Sequence, residues 1–315
     1  MERKSEQLRN VALIAHVGSG KTSLAEAMLF NGKGTSRLGR VDDGTSNFDF
    51  EPEEIKRRIT ISTSIHHCDW KKNIINIIDT PGDDNFLSDT KACLQAADGV
   101  ILVLDATAGV KFGSQKVWAF ADELKLPRII YVSKMDRERS NFYGVVEEVM
   151  KTFEVKATPV FLPIGSEDKF EGLVDLIKMK AYRFTKDGSG KFEESDVPAG
   201  MKDEVDEWRE KMIENIVEAD DQVMEKYLDG QALSPQEVEE TFVKGTKSGL
   251  LIPVTCGSST FNIGVSQLMN LIVQAFSAPV ERPVLQGKRP GKDEVVQRKP
   301  SADEALSALV FKTVA

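Results

Sequence analysis

Residues 15–22 read Ala-His-Val-Gly-Ser-Gly-Lys-Thr, and this stretch decides the predicted fold. It fits the Walker A pattern, which is an Ala or Gly, four residues of any type, and then Gly-Lys followed by Ser or Thr. An apolar strand over residues 10–16 leads into it, and a helix is predicted to begin near Lys21. An ordinary glycine-rich turn is the alternative. The position between a strand and a helix favours a phosphate-binding loop, or P-loop.

The loop offers three kinds of group to a polyphosphate. Its glycines let backbone N–H groups curl around a β-phosphate, Lys21 neutralises charge on the β- and γ-phosphates, and the Thr22 hydroxyl binds Mg²⁺. The predicted nucleotide-binding residues of the loop are Ala15, His16, Val17, Gly18, Ser19, Gly20, Lys21 and Thr22. A nucleoside triphosphate with Mg²⁺ is therefore the predicted ligand.

A second motif, DTPGDDNF (79–86), follows the apolar strand NIINIID. Asp79 is predicted at the end of that strand, where it can hold Mg²⁺ through water, and the Gly82 N–H can meet the γ-phosphate. Alone, Asp-x-x-Gly more often marks a turn. After a Walker A loop and a strand hairpin it indicates a nucleotide switch. Asp83 and Asp84 follow at once, and Asp84 is predicted to be an exposed acid at a helix start.

A third motif, Ser133-Lys134-Met135-Asp136, follows the strand IIYV. An Asp here can accept two hydrogen bonds from N1 and N2 of guanine, whereas adenine offers no such pair of donors. A buried carboxylate left unpaired is costly, so this position favours GTP over ATP. Lys134 is expected to lie along the base. The alternative is a strand-end turn with a surface salt bridge.

Strands alternating with helices predict an α/β fold with a mostly parallel sheet and helices on both faces. Residues 32–58 are polar and aperiodic, and a loop that long is usually functional or disordered. Strand-like residues with a hairpin at 186–192, and then acidic helices, interrupt the alternation before a strand at 250–255 and a helix resume it. The predicted division is 1–157 for the first part of the α/β domain, 158–249 for an inserted α+β subdomain, 250–282 for the completion, 283–303 for a linker and 304–315 for the first strand of a truncated further domain. We therefore expect the chain to be a piece of a longer protein.

Composition bears on the class of protein to which the chain belongs. The 315 residues are 41% hydrophobic and 29% charged, which fits a globular protein. No apolar run approaches the roughly 18 residues that would span a membrane, and no signal peptide is visible. Three scattered cysteines, Cys68, Cys93 and Cys256, predict buried thiols in a reducing compartment, consistent with the cytoplasm.

The net charge of −9 is uneven along the chain. Residues 201–250 hold 6 basic and 14 acidic residues, a net −8, so the remainder carries only −1. A broad basic patch for nucleic acid is therefore not expected. The acidic block has helical spacing and is either a solvated helix face or a docking surface for a protein.

Together these motifs resemble the elongation factor G family of translational GTPases. RRITI (57–61) resembles the end of the family's switch I (about 36–59 here), whose Thr ligates Mg²⁺, and that role maps to Thr60. SKMDR (133–137) resembles its guanine motif. CGSSTFNIGV (256–265) resembles its last base loop. The residues carried over there to the guanine site are Gly257, Ser258 and Ser259.

The resemblance extends to the segments that distinguish the family. Residues 157–181 and 220–230 are similar to its inserted G′ subdomain, and SALVFKTV (307–314) is similar to the first strand of its domain II. It implies a P-loop NTPase G domain with a G′ insert. It also implies GTP and GDP with Mg²⁺ as ligands and a cytoplasmic, monomeric protein that works on the ribosome. The family's G′ contact with the ribosomal stalk protein names a candidate partner for the acidic helices.

Four positions around the nucleotide depart from the family. Gly18 stands where a P-loop Asp is usual, so a monovalent cation near the phosphates loses a ligand. Arg58 replaces the Gly of the switch I motif. Ser133 replaces an Asn that ties the base loop to the P-loop, and we expect the shorter side chain to lose that bond at a cost of about 0.5–1.5 kcal/mol. Asp83 replaces the His that orients the attacking water.

Asp83 is the departure with the largest expected effect. Positioning or acid–base groups contribute roughly 10²–10⁴ in rate, and an Asp is shorter than His and repelled by the γ-phosphate. Val17 and Ile59, which match an apolar gate beside the water, are intact. The predicted catalytic residues are therefore Asp83, Lys21, Val17 and Ile59. The predicted metal ligands are Thr22, Thr60 and Asp79.

Two functions remain open from the sequence. In the first, GTP hydrolysis stimulated by the ribosome drives translocation or recycling. In the second, the protein is a GTP-dependent ribosome-binding module that hydrolyses very slowly because of Asp83.

Overall fold

The computed structural model describes residues 4–289, 291–301 and 303–313, and a seven-stranded sheet forms its centre. The strands of this sheet are β1 (Leu8–Ile14), β2 (Ser64–Trp70), β3 (Asn73–Asp79), β4 (Gly99–Asp105), β5 (Arg128–Ser133), β6 (Ala157–Pro159) and β11 (Ile252–Cys256). Their spatial order is β2-β3-β1-β4-β5-β11-β6. β2 pairs antiparallel with β3, and every other pairing in the sheet is parallel. The predicted mostly parallel α/β sheet is confirmed.

The central strands are apolar along their whole length because both faces of the sheet are covered. Val100 to Leu104 on β4 are completely buried, and so are Ile129 to Val132 on β5. Such uninterrupted apolar runs are typical of parallel strands inside an α/β fold. At the edge, the β2–β3 hairpin turns through Lys71 and Lys72, which both have left-handed φ angles of 44° and 66°.

Helices flank the sheet in two groups. The helices are α1 (Lys21–Asn31), α2 (Pro52–Arg57), α3 (Leu87–Cys93), α4 (Phe112–Glu123), α5 (Phe142–Phe153), α6 (Lys202–Val217), α7 (Asp221–Leu228), α8 (Pro235–Ser248) and α9 (Val265–Ala275). α1 packs against α9, while α3 packs against α4. Among the described residues, no helix is both long and apolar enough to cross a membrane.

A second sheet follows β6 directly. Its strands are β7 (Phe161–Ile164), β8 (Gly172–Asp175), β9 (Lys180–Phe184) and β10 (Phe192–Asp196), all paired antiparallel in the order β10-β9-β8-β7. The predicted hairpin at 186–192 is the β9–β10 turn. The tip of this turn reaches the loop after β11, where the Asn262 amide donates to Gly188 O at 3.3 Å and pairs reciprocally with the Asn31 amide.

The chain then returns to the first sheet. Helices α6 to α8 follow β10, and β11 inserts between β5 and β6. Ser234 caps α8 by accepting from the Glu237 N–H at 3.2 Å. β6 keeps the main sheet going to Pro159, so the insert would begin about there rather than at 158. The full division into G domain and G′ insert stays a prediction.

Two sequence predictions need correction. Residues 32–58 are not wholly aperiodic, because α2 begins at Pro52 with a capping box between Glu51 and Glu54. A strand was predicted near the C-terminus, but residues 303–313 form none in the structure, since no neighbouring strand offers them hydrogen bonds. The predicted linker contains a small hairpin of β12 (Leu285–Lys288) and β13 (Val295–Arg298). Parts of these predictions, at Pro290, Ala302, Val314 and Ala315, lie outside the described residues.

The three thiols are free and buried, as predicted. Burial raises the pKa of Cys68 to about 12, so its thiolate is strongly disfavoured.

Candidate functional site

The loop from Ala15 to Gly20 connects the carboxyl end of β1 to α1, as the sequence predicts. Gly18 and Gly20 have left-handed φ angles of 78° and 90°, which only glycine adopts without strain. Gly20 is the N-cap of α1, and no described side chain caps this helix end. The first N–H groups of α1 therefore point out of the helix, where the helix dipole favours an anion.

A buried chain of oxygen atoms lies beside this loop. The Thr22 hydroxyl is 2.8 Å from Asp79 Oδ2 and 2.9 Å from the Thr60 hydroxyl, and the Thr60 hydroxyl is 2.8 Å from Asp49 Oδ1. Asp79 is fully buried and Asp49 is 2% exposed. The structure thus brings the three predicted metal ligands together and adds Asp49.

This cluster has the chemistry of a magnesium site. Asp79 Oδ1 and Asp49 Oδ2 are buried and have no hydrogen-bond partner among the described residues. Burial raises the pKa of Asp79 to about 7, although the charge of Lys21 opposes this, and burial raises the pKa of Asp49 to about 6. Hydroxyl and carboxylate oxygens are what Mg²⁺ prefers, and a divalent cation would satisfy both free oxygens. These residues therefore fit the metal that the motifs imply.

Asp49 was missed at the sequence level because its partners are far along the chain. It lies in the polar segment 32–58, which has no periodicity to align its side chains. The one available signal is the flanking pair of aromatic residues, Phe48 and Phe50, since an acid between two phenylalanines in a polar stretch indicates local burial. The signal holds for Phe48, which is fully buried, but not for Phe50, which is 60% exposed.

A buried glutamate on α1 holds this segment in place. Glu26 is fully buried, and its carboxylate accepts hydrogen bonds from Ser46 Oγ at 2.7 Å, from Asn47 Nδ2 at 2.8 Å, from the Phe48 N–H at 3.1 Å and from the Asn47 N–H. These bonds fix residues 46–48 immediately before Asp49.

A second buried glutamate holds the end of the segment. Glu54, 1% exposed, accepts from the N–H groups of Ile61 at 2.9 Å and Ser62 at 3.0 Å. The backbone on both sides of Thr60 is therefore anchored to α2.

The Asp-Thr-Pro-Gly turn presses against the start of the P-loop. A Cβ at Gly82 would lie 2.9 Å from both Ala15 O and Val17 N, so any larger residue there would push the two loops apart. Thr80 also donates to Leu13 O at 2.7 Å. Gly82 thereby lines the phosphate end of the cleft.

The Asp83 side chain is bonded within its own turn. Its Oδ1 accepts from the N–H and the side-chain amide of Asn85 at 2.9 and 2.8 Å, which caps a short 3₁₀ turn. It is absent from the described residues that line the cleft, whereas Val17 and Ile59 are among them. Its predicted water-orienting role stays a prediction. Asp84 is exposed, as predicted, and pairs with Lys116 at 3.0 Å.

The base end of the site differs from one expectation. Ser133 Oγ lies 2.7 Å from Ser19 O and 3.0 Å from Leu104 O, so the shorter side chain still ties the base loop to the P-loop. The predicted loss of that bond is wrong, because the backbones approach closely enough for a hydroxyl to bridge them. Lys134 Nζ adds a second tie, at 2.6 Å from Gly18 O and 2.7 Å from Asp105 Oδ2.

Asp136 and Ser259 line the base end, together with Thr260, which was not predicted. Gly257 and Ser258 lie behind the surface. A Cβ at Gly257 would meet the Tyr131 hydroxyl at 2.3 Å, so these two residues support the loop instead of facing the cleft.

A single cleft joins the base end to the phosphate and metal end. The predicted residues that line it are Val17, Gly18, Gly20, Lys21, Thr22, Ile59, Thr60, Gly82, Ser133, Lys134, Asp136 and Ser259. Those not in its lining are Ala15, His16, Ser19, Asp79, Asp83, Gly257 and Ser258. Asp49 and Arg58 line it too. The arrangement can hold a base, a polyphosphate and a hard cation in one line.

Comparison with known proteins assigns this architecture. The Elongation factor Tu GTP binding domain family matches residues 6–278. Elongation factor G of Thermotoga maritima is 39% identical over 307 residues, which is 98% of this chain and 44% of that protein. Elongation factor G of Aquifex pyrophilus is 38% identical over 315 residues, 98% of this chain and 45% of that protein. The chain thus spans less than half the length of these relatives.

A solved structure agrees. The crystal structure of ttk003000868 from Thermus thermophilus superposes with a TM-score of 0.82 at 35% sequence identity, covering 88% of this chain and 41% of that one. The fold is therefore that of a P-loop GTPase G domain.

The buried carboxylates make a testable contribution to stability. The folded-state pKa of Asp79, about 7, lies above its unfolded value of 3.8, so the folded protein holds a proton that rising pH removes. In EDTA, Asp79→Asn should therefore gain stability relative to the original chain as pH rises from about 4 to 7, by about 2–4 kcal/mol. Urea denaturation at several pH values measures this. Asp69→Asn, at an exposed site on β2, is the control, and a pH-independent difference for Asp79→Asn would contradict the assignment.

The Glu26 anchor predicts local order. Glu26→Gln replaces an acceptor oxygen with a donor, so some of the bonds to residues 46–48 must break, at a cost of about 1–3 kcal/mol. Amide hydrogen exchange should accelerate in peptides covering 46–49 but not in β4. Glu147→Gln, at an exposed position on α5, should leave the stability and the exchange of residues 46–49 unchanged. Equal protection of 46–49 in both variants would show that Glu26 does not hold the segment.

Proposed function

This chain belongs to the elongation factor Tu GTP-binding domain family, and on that premise we propose that it binds and hydrolyses GTP as part of a ribosome-associated translation factor of the elongation factor G type. The observation that carries the proposal is the continuity of one cleft from Asp136 to the Thr22–Thr60 hydroxyl pair. The residues proposed to bind the base and those proposed to bind the phosphates thus lie along one cleft at the same edge of the main sheet.

Each part of the cleft has a role in this function. The Asp136 carboxylate accepts from guanine N1 and N2, and the P-loop N–H groups and Lys21 hold the phosphates. Thr22 and Thr60 would ligate Mg²⁺ directly, while Asp79 and Asp49 would hold it through water. Mg²⁺ held by these residues would supply positive charge to the phosphate oxygens.

The work done with GTP is proposed to be translocation or recycling on the ribosome. The exposed acidic faces of α6 to α8 are the proposed contact for the ribosomal stalk protein. A monomeric protein in the cytoplasm follows from that role. The elongation factor G relatives are more than twice as long as this chain, so these proposals concern a whole protein of that type.

A second function is favoured by one observation. The Asp83 carboxylate is bonded to Asn85 and does not line the cleft. A protein with no side chain on the attacking water would bind ribosomes in its GTP state and hydrolyse slowly, so the nucleotide would control residence time.

Ribosome-stimulated turnover separates the two functions. For the first function, the full-length protein should release phosphate from GTP faster when ribosomes are added. If Asp83 contributes, Asp83→Ala should lower the stimulated rate by roughly 10²-fold or more. No stimulation in the original protein, together with a gain in Asp83→His, would establish the slow-hydrolysis function instead. Asp84→Ala is the matched neighbouring control.

Base specificity is tested separately. Asp136→Asn replaces an acceptor with an amide that can donate to O2 of xanthine, so preference should move from GTP toward XTP. We expect GTP affinity to fall by about 10-fold or more, measured by competition against a fluorescent GDP analogue. Asp42→Asn, on the cleft wall away from the base loop, should keep its preference for GTP. Unchanged GTP affinity in Asp136→Asn would refute the base assignment.

A further inference from the structure

We propose that Arg58 is a cation that this chain supplies to the terminal phosphate of GTP, acting as a catalytic residue for intrinsic hydrolysis. The inference rests on the proposed GTPase function and deepens it. Arg58 lines the same cleft as Lys21, Thr60 and Gly82. Its Cα lies two residues from that of Thr60, within about 7–8 Å of it by backbone geometry. A long side chain from there reaches the metal and phosphate end.

Charge pairing singles out this arginine. Four basic residues line the cleft, namely Lys21, Arg58, Lys134 and Arg137. Lys134 is paired with Asp105 at 2.7 Å, and Arg137 lies 3.7 Å from Asp136. Neither Lys21 nor Arg58 has an ion-pair partner within 4.0 Å among the residues that the structure describes. Two cations therefore remain for the phosphates, one in the P-loop and one opposite it.

The preceding residue, Arg57, is ion-paired, whereas Arg58 has no ion-pair partner in the part of the chain that the structure describes. Arg57 is the last residue of α2, forms an ion pair with Glu53 one turn earlier, and does not line the cleft. Arg58 follows it and is exposed, with its side chain unpaired in the described chain. Two adjacent arginines thus have different surroundings, and only the second lines the cleft.

The backbone at Arg58 is strained and firmly held. Its φ and ψ are 57° and 38°, a left-handed conformation that glycine adopts without cost. The N–H groups of Arg58 and Ile59 both donate to Glu54 O, and the Glu54 side chain holds Ile61 and Ser62. Ten other described residues besides glycine also have a positive φ, so the conformation alone assigns no role, but these bonds fix the backbone from which the Arg58 side chain extends.

The chemistry requires positive charge at this place. A water oxygen forms a bond to the γ-phosphorus while the bond from that phosphorus to the β–γ bridging oxygen breaks. GTP and water thereby give GDP, inorganic phosphate and one proton, which passes to phosphate or solvent. Negative charge is spread over the phosphoryl oxygens in the transition state, and a guanidinium stabilises it by donating paired hydrogen bonds. Asp83 is an acid and supplies no positive charge.

The test measures single-turnover GTP hydrolysis by the full-length protein with Mg²⁺ and without ribosomes. Arg58→Ala keeps a side chain in the left-handed conformation, Arg58→Gly removes the strain, and Arg58→Lys keeps the charge without the paired donors. Arg58→Ala and Arg58→Gly should each hydrolyse GTP at least about 10²-fold more slowly than the original protein. The rate of Arg58→Lys should lie between theirs and that of the original protein. Arg58→Gly should melt no lower than the original protein. Arg57→Ala is the matched control and should hydrolyse at the original rate.

Binding measurements keep the inference separate from the proposed function. A fluorescent GDP analogue should bind Arg58→Gly as it binds the original protein, while the tighter binding produced by aluminium fluoride, which mimics the transferring phosphoryl group, should be lost. Hydrolysis in Arg58→Gly within about threefold of the original rate would overturn the inference. So would a loss confined to GTP affinity with an unchanged rate at saturation. Failure of the original protein to bind guanine nucleotides would overturn the proposed function itself.

Discussion

The hydrogen bond between Thr22 and Asp79 is the constraint on which the rest of the site depends. It joins the start of α1 to the end of β3, so the P-loop and the Asp-Thr-Pro-Gly turn cannot move apart without breaking a buried contact. Thr60 and Asp49 extend the same chain of oxygens into a segment that the main sheet does not contain. Two carboxylate oxygens in this chain are unpaired among the described residues, and a cation there would satisfy both.

Prediction succeeded where the determining interactions are local in sequence. The P-loop glycines and the strand that leads into Ser133 each depend on residues within one turn or strand. Asp49 and Glu26 were missed because their partners are 11 to 22 residues away and no periodicity links them. Ser133 was misjudged for a related reason. Side-chain length was known, but the distance between Ser19 and Leu104 that it spans depends on the packed sheet.

Three acidic side chains hold the segment from Ser46 to Ser62, beside the bonds that Ser64 and His66 make to the backbone of Phe48 and Asn47. Glu26 fixes its start, Asp49 joins the metal cluster and Glu54 fixes its end. Buried carboxylates that accept several N–H bonds are stable only while each bond is made, since each lost bond costs on the order of 1–3 kcal/mol in such surroundings. Order in this segment is therefore cooperative, and a change at one acid is felt at Thr60.

The place of Glu26 on α1 also limits where the chain tolerates changes in length. It follows Lys21 within one continuous helix that runs from the P-loop to the anchor. Inserting a residue between them would rotate Glu26 by about 100° around the helix axis and carry it away from Asn47 and Phe48. Residues 35–37, which are exposed or half-buried and make no contact with Glu26, face no such restriction. Variation in length should accordingly accumulate after α1 and be absent within it.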